Sequence, residues 1–246
     1  MGIDYLFIAP LHGQYRHTIL KRKTMNTVST KTKVAIIGLG NIGKAVATNL
    51  IKGNHPVILA SRDSEKTKVL AGQLGNLATA KEIADAIKES DVIIPAIYFN
   101  SLKEFFQTYS KELEGKIIVD VSNPIAPDEN GGFKKIIGMN ESAGKILSDL
   151  IPKNTKLIKA FGTLGAGSLL NAAFTKPDKK VLFYASDSTN SKQQIEELIT
   201  SSDFVPLNVG GIDQSIKIEV FGELHEFGAL GKPVTLAEAK SKISHS

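Results

Sequence analysis

The chain has 246 residues, 42% hydrophobic and 22% charged, the composition of an ordinary soluble globular protein with room for one large α/β domain or two small ones. It contains no Cys, which removes disulfides, thiolate catalysis and sulfur-ligated metal clusters. The formal charge of +5 is unevenly spread: residues 1–31 hold Arg16, Lys21, Arg22, Lys23 and Lys31 against Asp4, so the remainder is nearly neutral and offers no basic face to nucleic acid.

The first thirty residues carry no sustained period. The apolar run Tyr5 to Ala9 stops at Pro10, too short for a membrane span, and its positive charges follow it rather than precede it, unlike a secretory signal. Residues 1–32 therefore read as a flexible leader, or as a start site taken too early with Met25 as a second start. A cytoplasmic protein without a membrane partner is expected.

From Lys33 short β-branched runs alternate with amphipathic stretches, the pattern of βαβ units in a parallel sheet. Strands are predicted over 33–38, 56–60, 76–79, 91–97, 116–121, 155–161, 180–185 and 204–209. Helices are predicted over 41–52, 64–73, 81–88, 102–113, 142–150, 191–200 and, closing the chain, 215–225. Between Lys116 and Asp120 there is no charge, as a strand buried on both faces requires. Turn formers Pro124, Pro127, Asn130, Gly131 and Gly132 mark a loop. No repeat and no long polar linker interrupts residues 33–246, so these form one α/β domain: a doubly wound, mostly parallel sheet of Rossmann type with a modified C-terminal half.

Gly38-Leu39-Gly40-Asn41-Ile42-Gly43 is a G-x-G-x-x-G that directly follows a strand and opens a helix whose Ile42, Val46, Leu50 and Ile51 fall at helical spacing. In that frame the first Gly permits a tight turn, the second lets backbone approach a pyrophosphate, and the third allows helix and strand to pack closely. The free N–H groups of the helix start would hold the phosphates. At the end of the second strand an NAD site places a carboxylate, whereas this chain reads Ser61-Arg62 with Lys66 one turn on. A hydroxyl and two cations suit a 2′-phosphate, so NADP(H) is the expected cofactor.

Ala96, Ile97 and Tyr98 follow the fourth strand, where the inner face of the crevice should lie, and suit the flank of a nicotinamide riboside. Asn123 is a candidate partner for the carboxamide, with Pro124 stiffening its loop. Asp120 reads as a structural carboxylate and His225, beside Glu223, as a surface residue. No Ser-His-Asp set, paired carboxylates or His cluster is found, so no catalytic side chain and no metal ligand is named.

These residues resemble the NADP oxidoreductases related to deazaflavin (coenzyme F-420)-dependent NADP reductases and to the cytoplasmic domains of six-transmembrane metalloreductases. The matching stretches are residues 36–43, Ser61-Arg62 with Lys66, Asp120-Val121-Ser122-Asn123-Pro124 and Ile158-Lys159-Ala160-Phe161, with residues 227–232 as a closing segment. The resemblance implies NADPH across the carboxyl edge of the sheet and hydride transfer to a deazaflavin or flavin stacked on the nicotinamide. One departure matters: after Lys-Ala-Phe the family has Asn then Thr, and this chain has Gly162-Thr163-Leu164-Gly165-Ala166-Gly167-Ser168. Its three glycines predict a mobile loop or room for a planar ring, with Thr163 and Ser168 as substrate-binding hydroxyls. Tyr98 and Phe161 are candidates for the pocket wall, Phe161 better suited to the core. Two rival readings stay open: an NADPH-sensing module without turnover, and a small imine or carbonyl reductase with Tyr98 or Lys159 as proton donor. The small-molecule redox acceptor is the expected partner, and a homodimer is an open alternative.

Overall fold

The order in which strands join the sheet is set by which of them are apolar on both faces. In the computed structural model, which describes residues 31–244, β1 (Val34–Ile37) is buried along its whole length. Val34 and Ile36 join one apolar layer while Ala35 and Ile37 join the other, so helices must cover both sides. The predicted leader, residues 1–32, falls almost wholly outside the described residues.

The N-terminal half follows the predicted alternation: α1 (Asn41–Lys52), β2 (Val57–Ala60), α2 (Ser64–Leu74), β3 (Ala78–Ala80), α3 (Ile83–Glu89) and β4 (Val92–Pro95). Next come α4 (Phe99–Thr108), α5 (Ser110–Leu113) and β5 (Ile117–Asp120), the predicted 102–113 helix being divided at Tyr109. The turn-rich loop holds an antiparallel hairpin, β6 (Ile125–Pro127) with β7 (Phe133–Lys135). Beyond it lie α6 (Ala143–Ser148), β8 (Lys156–Ala160), α7 (Ala166–Ala172), β9 (Val181–Ala185), α8 (Lys192–Ser201), β10 (Val205–Asn208) and α9 (Leu236–Ile243).

The eight-stranded sheet runs β10-β9-β8-β5-β4-β1-β2-β3. Its six strands from β3 to β8 are parallel, and the order reverses between β1 and β4, which opens a crevice at their carboxyl ends. β9 runs antiparallel to β8, and β10 parallels β9. This added pair is the modified half expected from the sequence.

Three elements correct the reading of the C-terminal region. The predicted 215–225 helix is a 3-10 segment, Ile212–Ile218, followed by irregular turns. It stops because the Glu219 carboxylate is drawn to the start of α6, where it accepts from Ala143 N at 2.9 Å and Gly144 N at 3.0 Å, and because Phe221 turns left-handed at φ 73°. The last helix is α9, whose Thr235 and Glu238 form a reciprocal capping box. α7 begins inside the stretch read as a mobile glycine loop, and Asn49 Nδ2 fastens it to α1 by donating to Leu169 O at 2.7 Å.

Candidate functional site

The three motif glycines meet three different surroundings. Gly38 has φ 96°, and a Cβ there would lie 2.6 Å from Ala96 O and 2.8 Å from Ile97 Cγ2. A Cβ on Gly43 would run into the Gly38 carbonyl and lie 3.2 Å from Ala96 Cβ. Both are therefore glycine because the protein itself leaves no room. Gly40 differs, since nothing lies within 4 Å of a Cβ built there. It is the N-cap of α1, no side chain caps the helix, and its first turn holds no acid, so the leading N–H groups of Asn41, Ile42 and Gly43 face outward at the positive end of the dipole. That cradle fits a pyrophosphate, and Ala96 and Ile97 flank it.

At the end of β2 the predicted phosphate-binding residues are already partly engaged. Ser61 Oγ accepts from Asp63 N at 3.2 Å and pairs with Thr67 Oγ1 at 2.8 Å. Asp63 caps α2 by accepting from Lys66 N, and its carboxylate also holds Lys66 Nζ at 2.8 Å, which lowers the Asp63 pKa and raises that of Lys66. Lys66 is thus a shared cation rather than a free one. Arg62 is exposed and has no carboxylate partner among the described residues, so it is the side chain of this group free to take an anion.

A second cluster of candidate residues is built where β5 and β8 end. Asp120 and Lys159 stand opposite each other in register, are 0% and 1% exposed, and form an ion pair at 2.7 Å. Asp120 also accepts from Ser122 N at 2.8 Å, and Lys159 donates to Ser122 O. The pair therefore fixes the turn that carries Asn123, and Asp120 is structural as expected. Asn123 has a structural part that the sequence does not show: Nδ2 donates to Gly162 O at 2.9 Å and Oδ1 accepts from Val220 N at 2.8 Å. Each end of the amide holds protein backbone, which fixes its orientation and leaves one N–H and one oxygen lone pair uncommitted by these two bonds. Pro124 is buried behind it.

The glycine loop is pinned rather than mobile. Phe161 is 1% exposed at φ 60°, in the core rather than in a pocket wall, and turns the chain out of β8. A Cβ on Gly162 would lie 2.8 Å from Val121 O, so a larger residue does not fit where the family has Asn. Thr163 is buried and its Oγ1 has no partner, as is true of the neighbouring Ser122 Oγ. Ser168 sits apart on α7, where it lines a cavity of about 420 Å³ with Asn171, Lys176 and Lys180. Tyr98 is 86% exposed.

Residues 219–227 form a strap over this loop that the sequence reading does not find. His225, expected on the surface, is 1% exposed: Nε2 faces Gly162 O at 2.8 Å, and Nδ1 accepts from Phe227 N at 2.9 Å. A carbonyl can only accept and an amide only donate, so the ring is the neutral Nε2–H tautomer. Burial, reinforced by the charge of Lys159, pushes its pKa down to about 4 against the opposing bond to Gly162. Glu226 donates its N–H to Thr163 O at 3.2 Å and accepts from Gly165 N at the start of α7. A histidine followed by an acid near the chain end is too weak a sequence signal to find this strap.

Residues 33–124, which run from β1 to the turn after β5, match the family model described as NADP oxidoreductase, coenzyme F420-dependent. That match bears out the resemblance read from the sequence. The chain is 27% identical to the metalloreductase STEAP3 of Rattus norvegicus over 76% of its own length and 36% of that protein, so it spans about a third of the metalloreductases it matches. It is 25% identical to the F420-dependent NADP reductase of Methanothermobacter marburgensis over 76% of this chain and 88% of that one. Among solved structures a hypothetical protein from Sinorhizobium meliloti superposes with a TM-score of 0.72 at 28% identity, covering 83% of this chain and 95% of the other. A putative F420-dependent NADP reductase from Arthrobacter gives 0.64 at 19% identity, covering 75% and 87%, a likeness of fold.

Proposed function

We propose that the protein is an NADPH-dependent oxidoreductase that transfers hydride between nicotinamide and a planar acceptor of the deazaflavin or flavin type. The observation that carries this reading is Gly40, a glycine that no neighbouring protein atom requires, set at an uncapped helix start. Backbone at Gly38, Gly40, Asn41, Ile42 and Gly43 would take the pyrophosphate. Ser61 and Arg62 would take the 2′-phosphate, with Lys66 joining once it leaves Asp63. Ala96, Ile97 and Tyr98 would border the nicotinamide end, with Asn123 and Pro124 as its supporting turn and Thr163 beside it. Ser168 would meet the acceptor only at its outer edge.

Bound NADPH supplies the hydride, and the chain's own task is then to orient the ring and exclude water. The pinned loop over β5 and β8 suits that task. Tyr98 is 86% exposed and Lys159 is locked beneath Asp120, so neither of the proton donors that a carbonyl or imine reductase would use is poised for it. This favours a planar acceptor that needs position alone.

Calorimetric titration with NADPH and NADH, followed by NADPH oxidation with deazaflavin, flavin and ferric acceptors, tests the reading. Preference for NADPH and turnover with a planar acceptor are expected. Failure to bind NADPH defeats the proposal, and binding without turnover on any acceptor converts it to a sensing role.

A further inference from the structure

The carbonyl of Gly162 receives two side-chain donors, Asn123 Nδ2 at 2.9 Å from the turn after β5 and His225 Nε2 at 2.8 Å from the strap. Two donors on one buried carbonyl fix the direction of the peptide plane, and hence the course of the loop into Thr163 and Leu164. The absence of a side chain at position 162 lets this happen, since Gly162 sits hard against Val121 O. His225 is held from behind as well, by Phe227 N and by the Phe227 ring, whose centroid is 5.6 Å away. Its ring touches the loop backbone and, at 1% exposure, cannot itself touch a reacting atom.

We infer that His225 is a positioning residue for the hydride transfer proposed above, acting through the Gly162 carbonyl to hold the loop Gly162–Gly165 against the nicotinamide face. The inference rests on that functional reading. It separates the two ends of the cofactor: the adenosine phosphate end is gripped by the α1 and β2 termini, while the ring end depends on the strap. A misplacement of the order of 1 Å at a hydride donor lowers the rate by up to about a hundredfold without a matching loss of affinity.

The test compares wild type, His225→Leu and His225→Gln, using NADPH itself as the probe. Leu fills the space without hydrogen bonding, whereas Gln keeps a donor for Gly162 O. Titration gives the affinity, and the fluorescence of the bound reduced nicotinamide reports whether its ring is held. Turnover with flavin mononucleotide gives kcat and KM. In His225→Leu the NADPH affinity should stay within about threefold, while the emission gained on binding is lost and kcat falls about tenfold to a hundredfold. His225→Gln should recover most of both. Unchanged emission and kcat in His225→Leu overturn the inference, and so does an equal loss in Gln and Leu. If neither variant can be purified, histidine ring nitrogen NMR of the wild-type protein decides: an Nδ1–H tautomer overturns the inference, because Nε2 could not then donate to Gly162. Failure of the wild type to take up NADPH defeats the functional reading instead, a result distinct from either.

Discussion

Replacing Gly40 and Gly43 separately by Ala should divide binding from stability. At Gly40 the backbone has φ −71° and ψ −167°, which Ala adopts freely, and no atom lies within 4 Å of the new methyl. Ala is the poorer N-cap by roughly 0.5–1 kcal/mol, and it narrows the unfolded ensemble by roughly as much in the other direction. The melting temperature should therefore move by no more than about 3 °C. At Gly43 the methyl meets the Gly38 carbonyl, which is backbone and cannot rotate away, and lies 3.2 Å from Ala96 Cβ. Overpacking of about 1–3 kcal/mol outweighs the helix propensity gain of about 1 kcal/mol, so melting should fall by several degrees. For NADPH the order reverses in kind. The Gly40→Ala methyl occupies the space a pyrophosphate needs, and losing a hydrogen bond to a charged group costs about 1.5–3 kcal/mol, which is roughly a ten- to hundredfold loss of affinity. Thermal melts and fluorescence titration of both variants supply the two readouts. A Gly40→Ala protein that binds NADPH like the wild type would falsify the phosphate-cradle reasoning, whatever its melting point.

Arg62→Ala should weaken NADPH by roughly tenfold or more and NADH by less than about twofold, because one ligand alone carries the phosphate; equal losses in parallel titrations would contradict this. Asp63→Asn keeps the α2 cap yet frees Lys66, so NADPH affinity should rise about two- to fivefold with NADH unaltered, and a fall would show the carboxylate is not competing. Lys159→Met strands a fully buried Asp120 and should cost about 3–5 kcal/mol, part of which Asp120→Asn restores; additive losses in a double-mutant cycle would exclude coupling. For His225 the folded-state pKa of about 4 lies below the 6.5 of an ordinary imidazole, so the unfolded chain binds the proton more readily between those values. Its contribution is whole above pH 6.5 and is lost as pH falls towards 4, up to about 3 kcal/mol in all. Denaturant midpoints for wild type and His225→Gln should therefore diverge across that window, and parallel curves would count against a buried neutral ring.

All eight strands of the sheet are legible from local pattern. The run Val34 to Ile37, the glycines after it and the spacing of Val46 and Leu50 all point to the same unit, because burial on both faces and the phosphate turn are properties of adjacent residues. The placing of Ser61 and Arg62 at the end of β2 is legible for the same reason, although only the fold reveals that Asp63 holds Lys66. What stayed hidden depends on residues far apart in the chain. Glu219 abandons a helical pattern because its carboxylate is needed at α6, and Asn123 turns inward because Gly162 and Val220 come to it. α7 was masked by its own glycines. α9 was not hidden at all, since Thr235 and Glu238 have the spacing of a capping box, a signal available in the sequence.

The strap also bears on how the molecule matures as it is synthesised. Strands β1 to β5 can pair among themselves while later segments are still being made, and domains commonly acquire structure from the N-terminal side during translation. The latch on the Gly162 carbonyl arrives some sixty positions after the loop it secures, from a histidine at 225. A nascent chain would complete the turn into α1 before it secured this loop, and a product cut short before Glu219 would lose both the carboxylate at the start of α6 and the latch on Gly162.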